Sequence, residues 1–245
     1  MGPNRVLERH RNGEKALGFH IPLFSEFYVE IACKMGLDYV GFDCQHGAHT
    51  LPELDTLCRI AEGYGVTCGC RIVDHSEASI LTALDRGIQI ITVPNLKTAE
   101  EAEQIVKYAY FGPIGERSAT SHRVHQGIPD PRDMREVFKF NNENIIIMPQ
   151  LESITAFNNL DEILEVDGIN YFGGGPQDIA QSMGYPGEPN RPECQEAYEA
   201  ACQKIRAAGK HLLRDVLVTV DTFMTVYEAG VEMMETHERE PDLKL

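Results

Sequence analysis

The amino-acid sequence predicts an α/β protein, a single (β/α)8 TIM barrel over residues 1–245, and three observations support this fold class. Short apolar segments alternate with segments of helical periodicity along the chain. The apolar segments are nearly continuous in hydrophobicity, which is typical of parallel strands buried on both faces. No Pro/Ser-rich linker divides the 245 residues, and eight strand–helix repeats fit a chain of this length.

Eight strand candidates follow one another in the sequence. Each is a short apolar run, and most are followed by a polar turn and then by a helical segment. The candidates are residues 16–21, 38–43, 66–72, 88–94, 144–150, 168–174, 210–216 and 230–234.

Helix signals separate most of these strands. Ser25 has the character of an N-cap and Gly36 of a helix stop, Pro52 stands near a helix start, and Thr98 precedes a first turn rich in acids. A doubly wound open sheet is the alternative fold. It would normally carry a Gly-rich nucleotide turn after the first strand, whereas the turn here is "HIPLFSE", without G-x-G-x-x-G.

Composition excludes several classes of partner. The net charge of −16 opposes binding to nucleic acid or to an anionic membrane surface. The seven cysteines are odd in number and several lie in apolar runs, so we expect no disulfide framework but a reduced, cytoplasmic protein. No apolar run approaches the roughly 18 residues of a membrane span.

Polar side chains collect where the predicted strands end. Asp43 and His46 follow the second strand and Arg71 ends the third, while Glu152 and Asp178 follow the fifth and sixth. Because the active sites of (β/α)8 barrels lie at the carboxyl ends of the strands, these five side chains are expected to converge at one mouth.

Each of these residues also has a structural interpretation. Asp178 could cap a helix, although Glu152 is less needed for that because Ser153 beside it is a good cap. His46 could be a hydrogen-bonded turn residue, and Arg71 a solvated or paired charge. The combination is harder to explain by structure alone than any single member is.

The chemistry of the set falls into two parts. Two carboxylates with open positions suit a hard divalent cation such as Mg²⁺ or Mn²⁺. His46, oriented by Asp43, would be a base beside the cationic Arg71. Together they suit proton abstraction next to a carbonyl, with the metal and Arg71 holding the resulting enolate.

Several motifs at these positions resemble one enzyme family. They are "FDCQHG" (42–47), "CRI" before "ALDRG", "FGPIGERS" (111–118) and the long run from "QLES" to "GYPG" (150–187). With these motifs the chain resembles the HpcH/HpaI aldolases, the metal-dependent 2-oxo acid (pyruvate) aldolases, along most of its length.

The resemblance implies a barrel of the phosphoenolpyruvate/pyruvate type in a homo-oligomer, a hexamer or trimer of dimers that exchanges its last helix between subunits. It implies reversible aldol cleavage of a 4-hydroxy-2-oxo acid to pyruvate and an aldehyde, through a pyruvate enolate on Mg²⁺, Mn²⁺ or Co²⁺. It further implies that Glu152 and Asp178 bind the metal and that Arg71 contacts the pyruvyl oxygens. His46 with Asp43 would be the acid/base pair, and the pyruvate pocket would be lined by Gly174, Gly175, Pro176 and Gln150.

Three features depart from the family pattern. Gln45 stands where many members have Glu, and His20 stands in "GFHIP" where members often have Trp. The segment "GVEMMETHEREPDLKL" (230–245) replaces the usual last strand and long helix, which would affect the exchanged helix and the assembly.

Other activities are compatible with the same residues. The pyruvate enolate could arise by decarboxylation of oxaloacetate or serve a biosynthetic C–C bond formation, and a degenerate barrel could act as a binding subunit. The aldehyde partner would be selected by loops such as residues 111–127. In that loop four basic side chains either meet an acidic aldehyde or form a solvated surface: Arg117, His122, Arg123 and His125.

Overall fold

Strands and helices alternate through the computed structural model of this protein, which describes residues 2–119 and 133–245. The strands are β1 (Ala16–His20), β2 (Tyr39–Asp43), β3 (Thr67–Arg71), β4 (Ile90–Val93), β5 (Ile146–Pro149), β6 (Tyr171–Phe172), β7 (His211–Leu212) and β8 (Leu217–Asp221).

The helices begin where the sequence places its caps. Ser25 accepts a hydrogen bond from the Tyr28 N–H, and Thr98 forms a capping box with Glu101. The helices are α1 (Arg5–Arg11), α2 (Glu26–Lys34), α3 (Leu51–Gly63), α4 (Glu77–Leu84), α5 (Ala99–Ala109), α6 (Met134–Glu143), α7 (Ile154–Asn158), α8 (Leu160–Leu164), α9 (Pro176–Ser182), α10 (Pro192–Ala207), α11 (Leu213–Val216) and α12 (Thr222–Thr236).

The strands pair in parallel in the order of a closed barrel. One sheet runs β5-β4-β3-β2-β1-β8, so the first strand meets the last, and β6 pairs with β7. A bridge between Gln150 and Gly173 joins the two sheets. The predicted (β/α)8 architecture is confirmed.

Tyr39 fills the inside of the barrel and shows which residues face inward. A Cβ added at Gly18, Gly41 or Gly69 would overlap Tyr39, so these glycines leave room for its ring. Because side chains alternate along a strand, every second residue from Gly18, Gly41 or Gly69 also faces the interior. Helix α1 adds Val6 and Leu7 to the inner apolar cluster that contains Tyr39.

The seventh strand prediction is right only in part, and the eighth is wrong. In segment 210–216 only His211–Leu212 forms a strand, and Leu213–Val216 turns once before β8 begins at Leu217. Segment 230–234 lies within α12, where apolar residues continue the helical spacing that starts at Phe223. The last strand and the helix after it are therefore β8 and α12, and both begin before residue 230.

Helix α12 leaves its apolar side chains uncovered. Thr222 is its one buried residue, whereas Phe223, Val226 and Met233 are 46%, 60% and 63% exposed. Nearby, outward-facing side chains of β1 and β8 are also open, with Leu17 50% and Val218 44% exposed. Within the described ranges, no helix is long and apolar enough to cross a membrane.

Candidate active site

Asp43 and Arg71 form an ion pair at the ends of two neighbouring strands. The register places them directly opposite each other on β2 and β3. Arg71 Nε donates to Asp43 Oδ1 at 3.1 Å, and Nη2 donates to Oδ2, which gives the forked geometry of a guanidinium on a carboxylate. The Asp43 side chain is 5% exposed and that of Arg71 is 27% exposed, so the guanidinium partly faces the barrel mouth.

Asp43 also holds the loop that follows β2. Its Oδ1 accepts the main-chain N–H groups of Gln45 at 2.8 Å and of His46 at 3.2 Å. Burial alone would raise the pKa of Asp43, but the hydrogen bonds from Arg71 and these two amides lower it to about 2. Asp43 is therefore ionised and positions both the guanidinium and the loop.

The expectation that Asp43 orients the His46 imidazole needs correction. The carboxylate contacts the main-chain N–H of His46, and its two oxygens are engaged by Arg71. The His46 side chain is exposed at the mouth. The reason lies in the register, which brings a charged guanidinium opposite Asp43, a stronger partner than a neutral imidazole.

We expect Asp43→Asn to destabilise the fold by about 2 kcal/mol near neutral pH, in proportion to the lowered pKa. A carboxyl group whose folded pKa lies near 2 rather than at 3.8 adds stability above its ordinary pKa and loses it as the pH falls through 2. The difference between wild type and variant should therefore shrink in acid. Urea unfolding at several pH values measures this.

A matched control for that experiment is Asp161→Asn. Asp161 pairs with Lys204 at 2.7 Å, but its side chain is 76% exposed, so its loss should have little effect at any pH. Equal effects of the two substitutions would contradict the assigned role of Asp43.

Glu152 and Asp178 follow the neighbouring strands β5 and β6 at the same rim. Glu152 follows β5, and Ser153 beside it caps α7 through the Ala156 N–H at 3.2 Å. Asp178 lies in the first turn of α9, whose N-cap is Gly175, so Asp178 is not a capping residue. Neither acid is therefore the N-cap of a helix, which is the structural role that the sequence allowed.

The charges of these acids and of Arg71 affect one another. Burial raises the pKa of Glu152, the charge of Asp178 raises it further, and Arg71 opposes both. The pKa of Arg71 is in turn raised, chiefly by Asp43 and in part by Glu152 and Asp178. The structure therefore brings the predicted acids and the predicted arginine to one mouth.

Asn95 was not anticipated by the sequence analysis. It follows Pro94 after β4 with a φ of +58°, a left-handed conformation that Asn adopts more readily than most residues. Its main-chain N–H donates to Glu152 and favours the carboxylate form. The Pro-Asn order was the available signal, because a type II turn favours Pro at its second position and accepts Asn with a positive φ at its third.

The predicted pyruvate pocket lies between β5 and α9. Gly174 has a φ of +149°, and a Cβ there would lie 2.5 Å from the Leu151 carbonyl oxygen, so only glycine fits. Gly175 and Pro176 begin α9. Oε1 of Gln150 is buried, and within the described ranges it has no hydrogen-bond partner. A ligand with a donor group would satisfy this oxygen.

Two further side chains support this pocket through hydrogen bonds that lead to the main chain of Gly174. The Tyr198 hydroxyl donates to the Gly174 carbonyl oxygen at 3.1 Å, and Arg214 Nη1 donates to the Tyr198 oxygen at 2.8 Å. Both line a cavity of about 270 Å³ together with Gln150. They lie on α10 and α11 and gave no motif in the sequence.

The basic loop 111–127 lies only partly within the described residues. Arg117 is buried, with its side chain 0% exposed, and its Nη2 donates to Asp85 at 2.9 Å. Its guanidinium also lies over the Phe111 ring, 4.6 Å from the centroid. Arg117 therefore supports the loop, and the prediction that it meets substrate or solvent is wrong. His122, Arg123 and His125 lie outside the described residues.

His20 and Asp221 form a second pair at the same rim. His20 Nδ1 lies 2.8 Å from Asp221 Oδ2, and the two side chains are 35% and 33% exposed. From the sequence His20 is visible only as a polar substitution, and Asp221 gives no signal because it ends β8, a strand that the sequence pattern does not reveal.

Comparison with known proteins agrees with this architecture. The sequence model of the HpcH/HpaI aldolase/citrate lyase family matches residues 16–236. The 2-keto-3-deoxy-L-rhamnonate aldolase of Escherichia coli (strain K12) is 34% identical over 209 residues, which are 84% of this chain and 77% of that protein.

Solved structures show the same fold. The HpcH/HpaI aldolase from Desulfitobacterium hafniense DCB-2 superposes with a TM-score of 0.86 at 24% identity, over 98% of both chains. An HpcH/HpaI aldolase/citrate lyase family protein from Burkholderia cenocepacia J2315 gives a TM-score of 0.81 at 19% identity, over 96% of this chain and 98% of that one.

The barrel, the family match and the E. coli relative identify an enzyme of the aldolase class, a carbon–carbon lyase. The chain belongs to the HpcH/HpaI aldolase/citrate lyase family. The family resemblance stated from its motifs is thereby confirmed.

Proposed function

We propose that this protein catalyses the reversible aldol cleavage of a 4-hydroxy-2-oxo acid to pyruvate and an aldehyde. The observation that carries the proposal is the mutual influence of Arg71, Glu152 and Asp178 at one barrel mouth. A cation site beside a fixed guanidinium suits the carboxylate and keto oxygens of a pyruvyl group. The E. coli relative's name denotes a 2-keto-3-deoxy acid, which is the same substrate class.

The acidic pair fits a hard divalent cation. Within residues 2–119 and 133–245 no three His, Cys, Asp or Glu side chains cluster for a metal, but two carboxylates with open positions suit Mg²⁺, Mn²⁺ or Co²⁺. The raised pKa of Glu152 reflects burial and the unneutralised charge of Asp178, both of which a cation would offset. When bound, the ion would polarise the keto oxygen as a Lewis acid.

The remaining residues have distinct tasks in this proposal. Arg71 holds the pyruvyl oxygens and balances the charge of the enolate, with its guanidinium fixed by Asp43. His46 moves the proton at C3, taking it from the pyruvate methyl group in condensation and returning it in cleavage. The close main chain at Gly174 and the side-chain amide of Gln150 border the pyruvate, whose oxygens only accept hydrogen bonds and can take them from the amide NH₂ group.

We further propose that the protein works as a homo-oligomer in which α12 packs on a second copy. The uncovered apolar side chains of α12 and the open outer faces of β1 and β8 support this, since such surfaces mark interfaces. Val226→Glu should shift the protein to smaller species in light scattering. Glu228→Gln changes an exposed polar residue of the same helix and should not. An unchanged mass for Val226→Glu would contradict this packing.

The decisive test of the function is hydrogen exchange at the pyruvate methyl group. In D₂O with Mg²⁺ or Mn²⁺, the wild-type protein should exchange these protons, because forming the enolate is half of the aldol reaction. His46→Ala should slow both exchange and aldol cleavage by about 10²–10⁴-fold, as expected for loss of a general base. NMR follows the exchange, and calorimetry should show nearly unchanged pyruvate binding.

The control substitution is His237→Ala at the end of α12, far along the chain from the barrel mouth. It should leave exchange unchanged. Exchange at the wild-type rate in His46→Ala, or unfolding of that variant, would identify His46 as a structural turn residue. No exchange in the wild type with either metal would favour a binding subunit over an aldolase.

A further inference from the structure

The pair formed by His20 and Asp221 lies inside the barrel mouth. The register places the two residues directly opposite each other at the carboxyl ends of β1 and β8. Ala16 and Leu217 belong to the inner apolar cluster. Because His20 is four residues from Ala16 and Asp221 four from Leu217, both share the inward face.

The position of the pair around the rim complements the residues already assigned. Glu152 follows β5, which is the fourth strand from β1 in the barrel order, so it lies across the mouth from His20. Arg71 ends β3, between the two. In our proposal the pyruvyl end of the substrate meets Arg71 and Glu152, and its other end extends towards β8 and β1.

Asp221 is held from two sides and is ionised. Its Oδ1 accepts the Met224 N–H at 2.9 Å as the N-cap of α12, while Oδ2 meets His20. Burial alone would raise the pKa of Asp221, but the hydrogen bonds with His20 and Met224 lower it overall. An ionised carboxylate only accepts hydrogen bonds, so Nδ1 of His20 carries the proton.

This arrangement leaves the other ring nitrogen able to act as a base. In the neutral imidazole with its proton on Nδ1, Nε2 has a free lone pair. Within residues 2–119 and 133–245 no group is hydrogen bonded to Nε2 of His20. A carboxylate that fixes the tautomer of a partly exposed imidazole and leaves its far nitrogen without a partner is the arrangement of a general base.

Aldol cleavage requires two proton movements, and His46 accounts for one. We propose that His20, positioned by Asp221, is the second proton-transfer residue and takes the proton of the C4 hydroxyl group. This inference rests on the proposed function. As the proton moves to Nε2, the electron pair of the O–H bond forms the C=O bond of the aldehyde. The C3–C4 bond breaks at the same time, and its electron pair forms the enolate. C3 of the enolate then receives a proton from His46. In condensation, the imidazolium protonates the new alkoxide.

The test uses reactions that share the enolate but differ at C4. Pyruvate exchange in D₂O and decarboxylation of oxaloacetate form the enolate without a C4 hydroxyl group, whereas addition of pyruvate to glycolaldehyde needs proton transfer to the new hydroxyl. In His20→Asn the amide can still donate to Asp221, but nothing replaces Nε2. We expect aldol addition to fall about 10²–10⁴-fold, with exchange and decarboxylation near wild type.

Asp221→Asn provides a second variant with its helix cap retained, because Asn caps as well as Asp. As a positioning residue, Asp221 should affect kcat for aldol addition more than KM, with pyruvate exchange preserved at a temperature where the variant is fully folded. Aldol addition at the wild-type rate in His20→Asn would overturn the inference. Equal loss of exchange and aldol addition in that variant would also overturn it, since His20 would then serve enolate formation or the fold.

Pyruvate exchange by the wild type distinguishes a failure of the role of His20 from a failure of the proposed function. If the wild type exchanges pyruvate protons but His20→Asn does not lower aldol addition more than exchange, only the role of His20 is refuted. If the wild type does not exchange them, the proposed function is refuted, and with it the reaction in which His20 acts.

Discussion

Replacing either rim acid, by Glu152→Gln or Asp178→Asn, is expected to lower kcat/KM for aldol cleavage on the order of 10³-fold, because polarisation by a bound cation supplies several kcal/mol. The amide substitutions keep the size of each side chain and remove one anionic ligand. The wild type should lose activity in EDTA and regain it with Mg²⁺ or Mn²⁺. Steady-state kinetics with defined metal concentrations measures both effects.

The raised pKa of Glu152 gives this prediction a second readout. The group keeps its proton to a higher pH than its ordinary value of 4.5, so in mild acid a cation must displace that proton. Apparent metal affinity should therefore fall as the pH drops through the raised pKa. Calorimetry in two buffers of different ionisation enthalpy should detect proton release in the wild type and none in Glu152→Gln.

An exposed glutamate serves as the control. Glu103→Gln on α5 changes the net charge equally and should leave metal affinity and rate unchanged. Since no lysine is assigned a Schiff-base role, borohydride with pyruvate should trap no covalent adduct. Full activity of the Glu152→Ala, Asp178→Ala double variant in EDTA would refute the role of these acids.

The first six of the eight strands could be placed from the sequence, because each is an apolar run followed by a polar turn. The region after α10 lacked such boundaries. In residues 210–221 apolar and polar residues are mixed without a clear period, and the connection between β7 and β8 is only Leu213–Val216. With no Gly or Pro in the stretch, periodicity could not divide it, and α12 was interpreted as a strand.

The site could be predicted where position along one strand decides it. Arg71, Glu152 and Asp178 follow apolar runs, and the barrel rule brings such residues together. Pairings between strands could not be predicted, because they depend on register and closure. Asp43 meets Arg71 only through the β2–β3 register, and His20 meets Asp221 only because β1 closes on β8.

Arg71→Lys is expected to cost about 2–4 kcal/mol of transition-state stabilisation, by analogy with the loss of an oxyanion-hole donor. A guanidinium has five N–H donors in a fixed plane, and Arg71 uses Nε and Nη2 to hold Asp43. The remaining donors stay aligned for the pyruvyl oxygens. An ammonium group is a mobile point charge and cannot hold Asp43 in a fork while presenting fixed donors to the substrate.

The experiment must separate this catalytic loss from the loss of the ion pair. Urea unfolding of Arg71→Lys reports the stability change, and kcat/KM measured where the variant is fully folded reports catalysis. Arg59→Lys is the control, because Arg59 is 69% exposed in an i,i+4 pair with Asp55, where Lys is an adequate substitute. If added guanidinium ion restores part of the rate to Arg71→Ala but not to His46→Ala, the missing group is the planar donor itself. A wild-type kcat/KM in folded Arg71→Lys would instead show that Arg71 only anchors Asp43.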